Sequence, residues 1–228
     1  MPPTTPFPQL TLIVAATTQL GIGLTGGLPW RLKAEMAYFA RSTKRVHPPS
    51  SEDSQVSNAV IMGRKTWASI PPKFRPLVDR VNIVITREPQ KFANSHPPSG
   101  SIWGPLAVAS LDEGLELLSS GKEGKVGVDV DRIFVIGGAE VYRLAFGHAG
   151  AKRVLLTQVR KLGEGEGEGG RKDEFGCDTF LQEFRGEGEG WRRMAHEDLC
   201  AFVGDDVPVG VQVEGGVGFE YQLWEKEG

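Results

Sequence analysis

Four short runs of almost entirely apolar residues constrain the fold of this chain most strongly. They cover residues 10–16, 59–62, 81–85 and 132–136. Runs of about four to eight apolar residues between turn signals are typical of β-strands covered on both faces. Three of them lead through a glycine-containing turn toward a predicted helix. This alternation of buried strands and helices predicts an α/β fold with a mostly parallel sheet.

The C-terminal third favours a different arrangement of strands. Residues 153–159 indicate a further strand, and residues 219–224 alternate as a strand with one buried face does. The chain is therefore predicted to be a single domain over residues 1–228, with a central mostly parallel sheet, antiparallel C-terminal edge strands and flanking helices. Surface loop insertions are expected near residues 46–57, 88–105, 161–176 and 203–218.

Composition argues against several classes of function. The formal net charge is -3, so the chain offers no basic field for nucleic acid or for an anionic membrane. Cys177 and Cys200 lack both a CxxC partner and histidines at metal spacing, so we expect no metal site and two reduced thiols. There is no run of about 18 apolar residues and no signal-like pattern at the N-terminus. A cytoplasmic location is expected.

One acidic residue falls on the apolar stripe of a predicted helix. Leu32, Glu35, Met36 and Phe39 share a face at helical spacing. A buried carboxylate without a partner is costly, so its pKa rises and it can hold a protonated heterocycle or help to pass a proton. The alternative is a position at the edge of the stripe, from which the side chain reaches solvent.

Two glycine-rich stretches suggest a nucleotide site, and only the second has the strand-to-helix context that such a site requires. Residues 21–26 spell G-x-G-x-x-G, but Pro29 and Trp30 follow where a dinucleotide-binding helix would have to begin. We interpret that stretch as a loop that opens and closes over a site, with Trp30 at its apolar edge. By contrast, Gly137 and Gly138 connect a buried strand to a helix, where free backbone N–H groups and the helix dipole favour a phosphate. A plain tight turn is the alternative.

Cations follow two other predicted strands at the equivalent place. Arg64 and Lys65 come directly after Gly63, and Arg87 follows Thr86. Ligands of α/β sheets bind beyond the carboxyl ends of the strands, so these side chains are expected to converge on one polyanion. A ribose 2′-phosphate suits Thr86 and Arg87, which favours NADPH over NADH.

Taken together, these residues resemble the dihydrofolate reductase family in its eukaryotic, fungal-like form. The matching residues run in family order and cover essentially the full chain. They are Ile13-Val14-Ala15-Ala16, Gly21-Ile22-Gly23, Leu28-Pro29-Trp30, Glu35, Tyr38-Phe39, the stretch 60–67, Ser69-Ile70-Pro71, Arg75-Pro76-Leu77, Arg80, the stretch 83–87, Val135-Ile136-Gly137-Gly138, Val141-Tyr142, Thr157 and Asp178-Thr179-Phe180.

The resemblance implies roles for the substrate residues. Glu35 would bind N3 and the amino group of the pterin ring, supported by Thr157, with Trp30 completing the catalytic set. Arg80 would clamp the α-carboxylate of the glutamate tail, which suits the planar fork of a guanidinium. The full set implied to contact substrate is Ile13, Val14, Ala15, Glu35, Met36, Phe39, Ser69, Ile70, Phe74, Leu77, Arg80, Ile136, Tyr142 and Thr157.

The resemblance also implies NADPH as the cofactor and a cis peptide bond between Gly137 and Gly138. The cations and threonines would hold the adenosine phosphates, and the stretch that begins at Gly137 would hold the pyrophosphate. The full set implied to contact the cofactor is Ala15, Ile22, Gly23, Gly63, Arg64, Lys65, Thr66, Thr86, Arg87, Glu88, Ile136, Gly137, Gly138, Ala139, Glu140, Val141 and Tyr142.

The implied reaction transfers a hydride from C4 of the nicotinamide to C6 of 7,8-dihydrofolate and protonates N5. The product, tetrahydrofolate, serves one-carbon metabolism in the synthesis of thymidylate, purines and amino acids. Glu35 is expected to polarise and orient the ring, while a water admitted by the loop of residues 21–30 delivers the proton. Antifolate inhibitors are expected to bind, and a monomer is expected.

Two alternatives stand beside this interpretation. One is a reductase of the same architecture that acts on another heterocycle, such as the pyrimidine reductases of riboflavin synthesis; Glu35 together with Arg80 argues against it. The other is a catalytically silent nucleotide-binding module, which the complete set of polar site residues disfavours.

The sequence departs from the family pattern at two places, Gly26-Gly27 in the loop and Met36 in the pocket. These departures leave the loop kinetics and the inhibitor selectivity open.

Overall fold

The computed structural model describes residues 8–48, 55–97, 103–119, 126–163, 173–186 and 188–227. The chain divides into two compact units. The first unit is Met1–Leu12 with Val46–Lys152, and the second is Ile13–Arg45 with Arg153–Gly228. The prediction of a single domain stays a prediction.

Strands and helices alternate over most of the described chain. The strands are β1 (Leu10–Thr17), β2 (Gly21–Gly23), β3 (Val56–Gly63), β4 (Arg80–Ile85), β5 (Leu106–Val108), β6 (Asp129–Val135), β7 (Ala151–Lys161), β8 (Thr179–Phe180), β9 (Trp191–Arg193), β10 (Gln212–Glu214) and β11 (Val217–Lys226). The helices are α1 (Lys33–Lys44), α2 (Arg64–Ser69), the 3-10 turn Pro72–Phe74, α3 (Pro89–Ser95), α4 (Leu111–Ser119), α5 (Ala139–Gly147) and α6 (His196–Val203).

The first unit is organised around parallel strands. The start of β1 pairs with β6, β6 with β3, β3 with β4, and β4 with β5, each in parallel. Toward their carboxyl ends β3, β4 and β6 are apolar, and Val60, Ile61, Ile83 and Phe134 are completely buried. Burial on both faces explains why the sequence shows continuous apolar runs there rather than alternation.

The second unit contains antiparallel strands. β11 pairs with β7 along one edge, and with β10 and β9 along the other. β2 and β8 form a separate antiparallel pair. With the parallel strands of the first unit, this confirms the predicted fold class: an α/β protein with mostly parallel strands and antiparallel C-terminal strands.

Two predicted loop insertions contain regular structure. The stretch 88–105 was expected to be irregular because of its prolines, yet Pro89 is the first residue of α3. Proline is tolerated there because the N–H it lacks would have no partner inside the helix. The stretch 203–218 contains β10 and the start of β11, which pair across a tight turn. Both loop predictions are wrong in this respect.

Parts of the other predictions lie outside the described residues. This applies to residues 49–54, 98–102 and 164–172, which belong to the loops predicted near 46–57, 88–105 and 161–176. Within the described ranges, no helix is both long enough and apolar enough to cross a bilayer. The same ranges hold no cluster of three or more His, Cys, Asp or Glu side chains that could bind a metal ion.

Candidate active site

Helix α1 carries Glu35 in its first turn and buries it. The residue is 7% exposed, and its buried neighbours along the helix are Leu32, Tyr38 and Ser42. The predicted burial of Glu35 is confirmed. The predicted stripe is wrong in part, because Met36 is 52% exposed and Tyr38 lies on the buried face instead.

Burial controls the charge of Glu35. Loss of hydration disfavours the carboxylate and raises its pKa from 4.5 to about 7. Protonated and ionised forms therefore coexist near neutral pH. A carboxyl group tuned in this way can bind a ring that presents N–H donors, and it can respond when the ring gains a proton.

Two tyrosines stand beside this carboxyl group within the second unit. The rings of Tyr38 and Tyr221 lie 4.1 Å apart. Burial, followed by the nearby charge of Glu35, raises the pKa of Tyr221 to about 12, so its hydroxyl stays protonated. Burial raises the pKa of Tyr38 as well. Thr157, predicted to support Glu35, is buried on β7 directly opposite Tyr221 in the β7–β11 ladder.

The glycine-rich segment after β1 forms hydrogen bonds with β8 and with Asp178. Gly21 lies in β2, which pairs with β8, and a helix begins only at Lys33, so the rejection of a dinucleotide motif here agrees with the structure. The N–H of Thr25 donates to the Asp178 carboxylate at 2.8 Å. Trp30 is buried, and its indole N–H has no hydrogen-bond partner among the described residues. A movement of this segment stays a prediction.

The remaining predicted residues of the second unit lie on β1, β2 and α1. Ile13 and Val14 are buried on β1, with Ala15 half-buried beside them. Phe39 is half-buried on α1. Ile22 and Gly23 belong to β2.

In the first unit, three strands end together. Gly63 at the end of β3 pairs with Ile85 at the end of β4, and Ile61 pairs with Val135 at the end of β6. The ladder continues past β6, since the N–H of Gly63 donates to the carbonyl of Gly137 at 2.8 Å. The residues that follow these strands are therefore neighbours, as their parallel register requires.

Two helix N-termini lie side by side at these strand ends. α2 begins after Gly63 and α5 after Gly138, and neither is capped by a side chain. A methyl group on Gly63 would approach Val141 to 3.2 Å, and one on Gly138 would approach the Thr66 hydroxyl to 3.4 Å. Glycine lets the two turns come this close. Their free N–H groups and helix dipoles favour an anion.

The polar residues predicted around this anion site divide into exposed cations and engaged groups. Arg64, Lys65 and Arg87 are exposed, and Thr86 is buried, with its hydroxyl accepting a hydrogen bond from the N–H of Glu88 at 3.3 Å. The carboxylate of Glu140 accepts two hydrogen bonds from Arg143 on α5.

These features fit a dinucleotide phosphate. The uncapped helix ends suit a pyrophosphate, and the exposed cations suit a further phosphate. The peptide bond between Gly137 and Gly138 is cis, as the resemblance implied. The ring of Tyr142 lies against Gly137, since a methyl group there would meet it at 3.1 Å. Ile136, Ala139 and Val141 complete this segment.

The other predicted substrate residues of the first unit are a buried arginine and four residues that precede it in the chain. Arg80 is 3% exposed, burial lowers its pKa to about 10, and its Nε donates to the carbonyl of Val78 at 3.0 Å. It therefore remains a cation at neutral pH. Ile70 and Leu77 are half-buried, Phe74 is exposed, and the hydroxyl of Ser69 donates to the carbonyl of Thr66.

Sequence reasoning missed three residues that organise these sites. The side chain of Asn82 bonds the backbone at Leu77, Arg80 and Trp103 and so fixes the loop before β4. Its place in an apolar strand was the available signal, because a buried amide needs partners. Tyr221 was noted only as part of a strand, and Glu214 only as part of a loop; both act on α1 through contacts distant in sequence.

Comparison with known proteins identifies relatives along nearly the whole chain. The sequence model described as "Dihydrofolate reductase" matches residues 9–198. The dihydrofolate reductase of Pneumocystis carinii is 39% identical over 222 residues, covering 96% of this chain and 97% of the relative. That of Candida albicans is 36% identical, covering 96% and 98%. The solved structure "Schistosoma mansoni Dihydrofolate reductase" superposes with a TM-score of 0.68 at 30% identity, covering 96% of this chain and 98% of that one.

Proposed function

Because the chain belongs to the dihydrofolate reductase family, we propose that its buried Glu35 binds the pterin ring of dihydrofolate. The chain reduces 7,8-dihydrofolate to 5,6,7,8-tetrahydrofolate with NADPH as its cofactor, the reaction of this family. Tetrahydrofolate then carries one-carbon units for thymidylate, purine and amino-acid synthesis. The proposals below concern which residues perform this reaction and how.

The state of Glu35 carries the proposal for the pterin. The ring presents N3 and an amino group as adjacent donors, and a carboxylate can accept from both. The pKa of about 7 lets Glu35 follow the protonation of the ring near neutral pH. Tyr221 and Tyr38 limit hydration of the carboxyl group from their side, and Thr157 supports its orientation.

Two further groups of residues hold the rest of the substrate in this proposal. Arg80 pairs with the α-carboxylate of the glutamate tail, supported by its burial and retained charge. The apolar slot for the pterin and aminobenzoyl rings is lined by Met36, Phe39, Ile70, Phe74 and Leu77, with Ile13, Val14 and Ile136 at its floor. Ala15, Ser69 and Tyr142 complete the substrate set.

The cofactor residues divide by chemistry. The segment from Gly137 to Tyr142 offers backbone N–H groups to the pyrophosphate, and the uncapped N-terminus of α5 supports this role. Arg64, Lys65, Thr66, Thr86 and Arg87 bind the remaining phosphates, with Glu88 beside them. Ala15, Ile22 and Gly23 complete the set proposed to contact the cofactor.

The chain's own residues supply orientation, polarisation and exclusion of water. NADPH, when bound, supplies the hydride that reaches C6 of the pterin. Glu35 holds the ring in register and stabilises the positive charge that it gains when N5 is protonated. Glu35 is not the direct proton donor, because N5 lies on the far side of the ring from N3; a water admitted by the loop of residues 21–30 delivers that proton. Trp30 shields the reaction from bulk water.

We further propose that the protein acts as a monomer in the cytoplasm and binds antifolate inhibitors. Both cysteines, Cys177 and Cys200, are free thiols, which supports a reducing compartment. Antifolates are expected to use the same carboxyl group as the pterin, because they present the same pair of donors to it.

The substitution Glu35→Gln tests the role of the carboxyl group. It preserves the shape of the side chain but removes its charge, so kcat at pH 7 should fall on the order of 100-fold. The Kd for NADPH, measured by fluorescence titration, should change less than about twofold, since the phosphate residues are intact. The control is Glu197→Gln, the same change at an exposed first-turn position of α6. Unchanged turnover in Glu35→Gln would remove Glu35 from the chemistry.

A further inference from the structure

Helix α1 begins without the usual cap. Its N-cap residue is Leu32, which has no oxygen or nitrogen in its side chain. The first N–H groups of a helix have no partner within it and are normally satisfied by Ser, Thr, Asp or Asn at the N-cap. Glu35, the acidic residue of the first turn, is buried and serves the site instead.

A distant glutamate satisfies these donors. The N–H of Lys33 donates to one carboxylate oxygen of Glu214 at 2.8 Å, and the N–H of Ala34 donates to the other at 3.0 Å. These two bonds lower the pKa of Glu214, which therefore stays ionised at neutral pH. Glu214 thus acts as a bidentate cap supplied from 181 residues along the chain.

The turn of a hairpin holds Glu214 in place. Glu214 ends β10 and pairs with Val217 at the start of β11, leaving Gly215 and Gly216 as a two-residue loop. Both glycines have positive φ, 59° and 78°, as the tight hairpin turns that match strand twist require. The same hairpin contributes Tyr221, whose ring packs on Tyr38 of α1. One hairpin therefore contacts α1 at its first turn and at its second.

We propose that Glu214 is a positioning residue for the reaction: it fixes the first turn of α1 and thereby the direction of the Glu35 carboxyl group. The capped N–H groups belong to the two residues immediately before Glu35. The inference rests on the proposed function, in which Glu35 binds the pterin ring. It also gives a role to the stretch 203–218, which the sequence predicts only as a surface loop insertion.

A second contact with this stretch is weaker. Arg41, on the later part of α1, forms an ion pair with Asp205 at 2.9 Å, but the two side chains are 50% and 43% exposed. Exposed ion pairs contribute little, so the cap at Glu214 is the contact that the proposal uses.

Steady-state kinetics of Glu214→Ala in the full chain separate positioning from general stability. Misplacement of Glu35 weakens pterin binding, so the KM for dihydrofolate should rise about fivefold. This is the change in affinity that corresponds to the free energy of a typical helix cap. The KM for NADPH should change less than twofold. Glu214→Gln retains one acceptor oxygen and should give an intermediate KM for dihydrofolate. A purely structural role would instead lower kcat through loss of folded protein and leave both KM values unchanged.

The matched control is Glu113→Ala. Glu113 accepts the N–H of Ala109 at 2.7 Å just before α4 begins, so its loss removes a bond between a carboxylate and the backbone beside a helix that carries no predicted site residue. It should lower Tm to a similar extent without changing the KM for dihydrofolate.

Amide hydrogen exchange gives a reading that does not depend on the proposed function. In Glu214→Ala, the amides of Lys33 and Ala34 should exchange at least about tenfold faster than in the wild type, since both lose their acceptor. Unchanged exchange would overturn the cap, and faster exchange with an unchanged KM for dihydrofolate would overturn the positioning role. Failure of the proposed function would show differently, as a wild-type protein that does not consume NADPH with dihydrofolate.

Discussion

At the level of single residues, the proposal assigns most of the chemistry to Glu35. Ordinary glutamate carboxyl groups have a pKa well below neutral, whereas burial raises the pKa of this one to about 7. A fold keeps such a group only against a cost in stability, because its ionised form is poorly hydrated. The same burial that makes Glu35 useful for binding a pterin therefore links its charge to the stability of the protein.

Stability should fall as pH rises through the titration of Glu35. The pKa is about 7 in the folded chain and near 4.5 when unfolded, so between these values the folded chain binds a proton that the unfolded chain has released. The stabilising contribution is complete below pH 4.5 and is lost as pH rises through about 7. Glu35→Gln is neutral at every pH and escapes this loss.

Urea unfolding at pH 5 and pH 8 measures this linkage. Relative to wild type, Glu35→Gln should gain free energy of unfolding between the two pH values, by an amount on the order of 3 kcal/mol at most. A difference between variant and wild type that is the same at both pH values would mean that Glu35 titrates normally in the folded protein.

At the level of elements, the parallel register of β3, β4 and β6 brings together the residues of the proposed anion site. Strands that run in the same direction deliver their following turns to one edge, and here two of those turns open helices without side-chain caps. Close approach of the two turns depends on Gly63, because a methyl group there would meet the side chain of Val141 at 3.2 Å.

Gly137→Ala should damage both stability and cofactor binding. Gly137 has a φ of 109°, a region that alanine rarely adopts, and its added methyl group would meet the ring of Tyr142 at 3.1 Å. The free energy of unfolding should fall by about 1–3 kcal/mol, and NADPH should bind at least about tenfold more weakly.

The control is Gly147→Ala, in the last turn of α5, the helix that follows Gly137 and Gly138. A methyl group there has no neighbour within 4 Å, and alanine is favoured over glycine in helices. Thermal unfolding and NADPH titration of the two variants should diverge. Equal NADPH affinity in both would argue against a phosphate site at Gly137.

Elements whose signals are local could be predicted from the sequence. Apolar runs in the sequence identify β1, β3, β4 and β6, and glycines identify the turns that lead into α2 and α5. Helix α6 was missed although its signals were present, with Glu197 and Asp198 in the first turn and Gly204 in the left-handed conformation at its end. Helix α3 was missed because its opening proline was interpreted as a breaker.

Contacts between distant parts of the chain could not be predicted in this way. The buried face of α1 includes Tyr38 because Tyr221 packs against it, and helical periodicity alone does not reveal a partner that far along the chain. The same applies to Glu214, whose role depends on where the hairpin places it. The convergence of the ends of β3, β4 and β6 could be predicted, because parallel strands bring their ends together as a rule, whereas the role of the cations that follow them stays a prediction.

At the level of the whole molecule, family membership determines the reaction and the structure suggests how residues divide the work. The match extends over 96% of the chain and 97% of the Pneumocystis carinii relative, so it is not confined to a shared motif. The two departures noted in the sequence, Gly26-Gly27 and Met36, change the loop and an exposed helix position while Glu35 and Arg80 are retained. We therefore expect the reaction to be conserved and inhibitor selectivity to differ.

The most direct test is the absorbance at 340 nm when the protein is mixed with NADPH and dihydrofolate. Parallel runs contain methotrexate, and others replace NADPH with NADH. We expect a rapid decrease that depends on both substrates, stops with methotrexate and is at least about tenfold slower with NADH. The slower rate with NADH follows from the proposal that Thr86 and Arg87 bind the 2′-phosphate. No decrease from protein that still binds NADPH would contradict dihydrofolate reduction and favour either another heterocycle or a silent nucleotide-binding module.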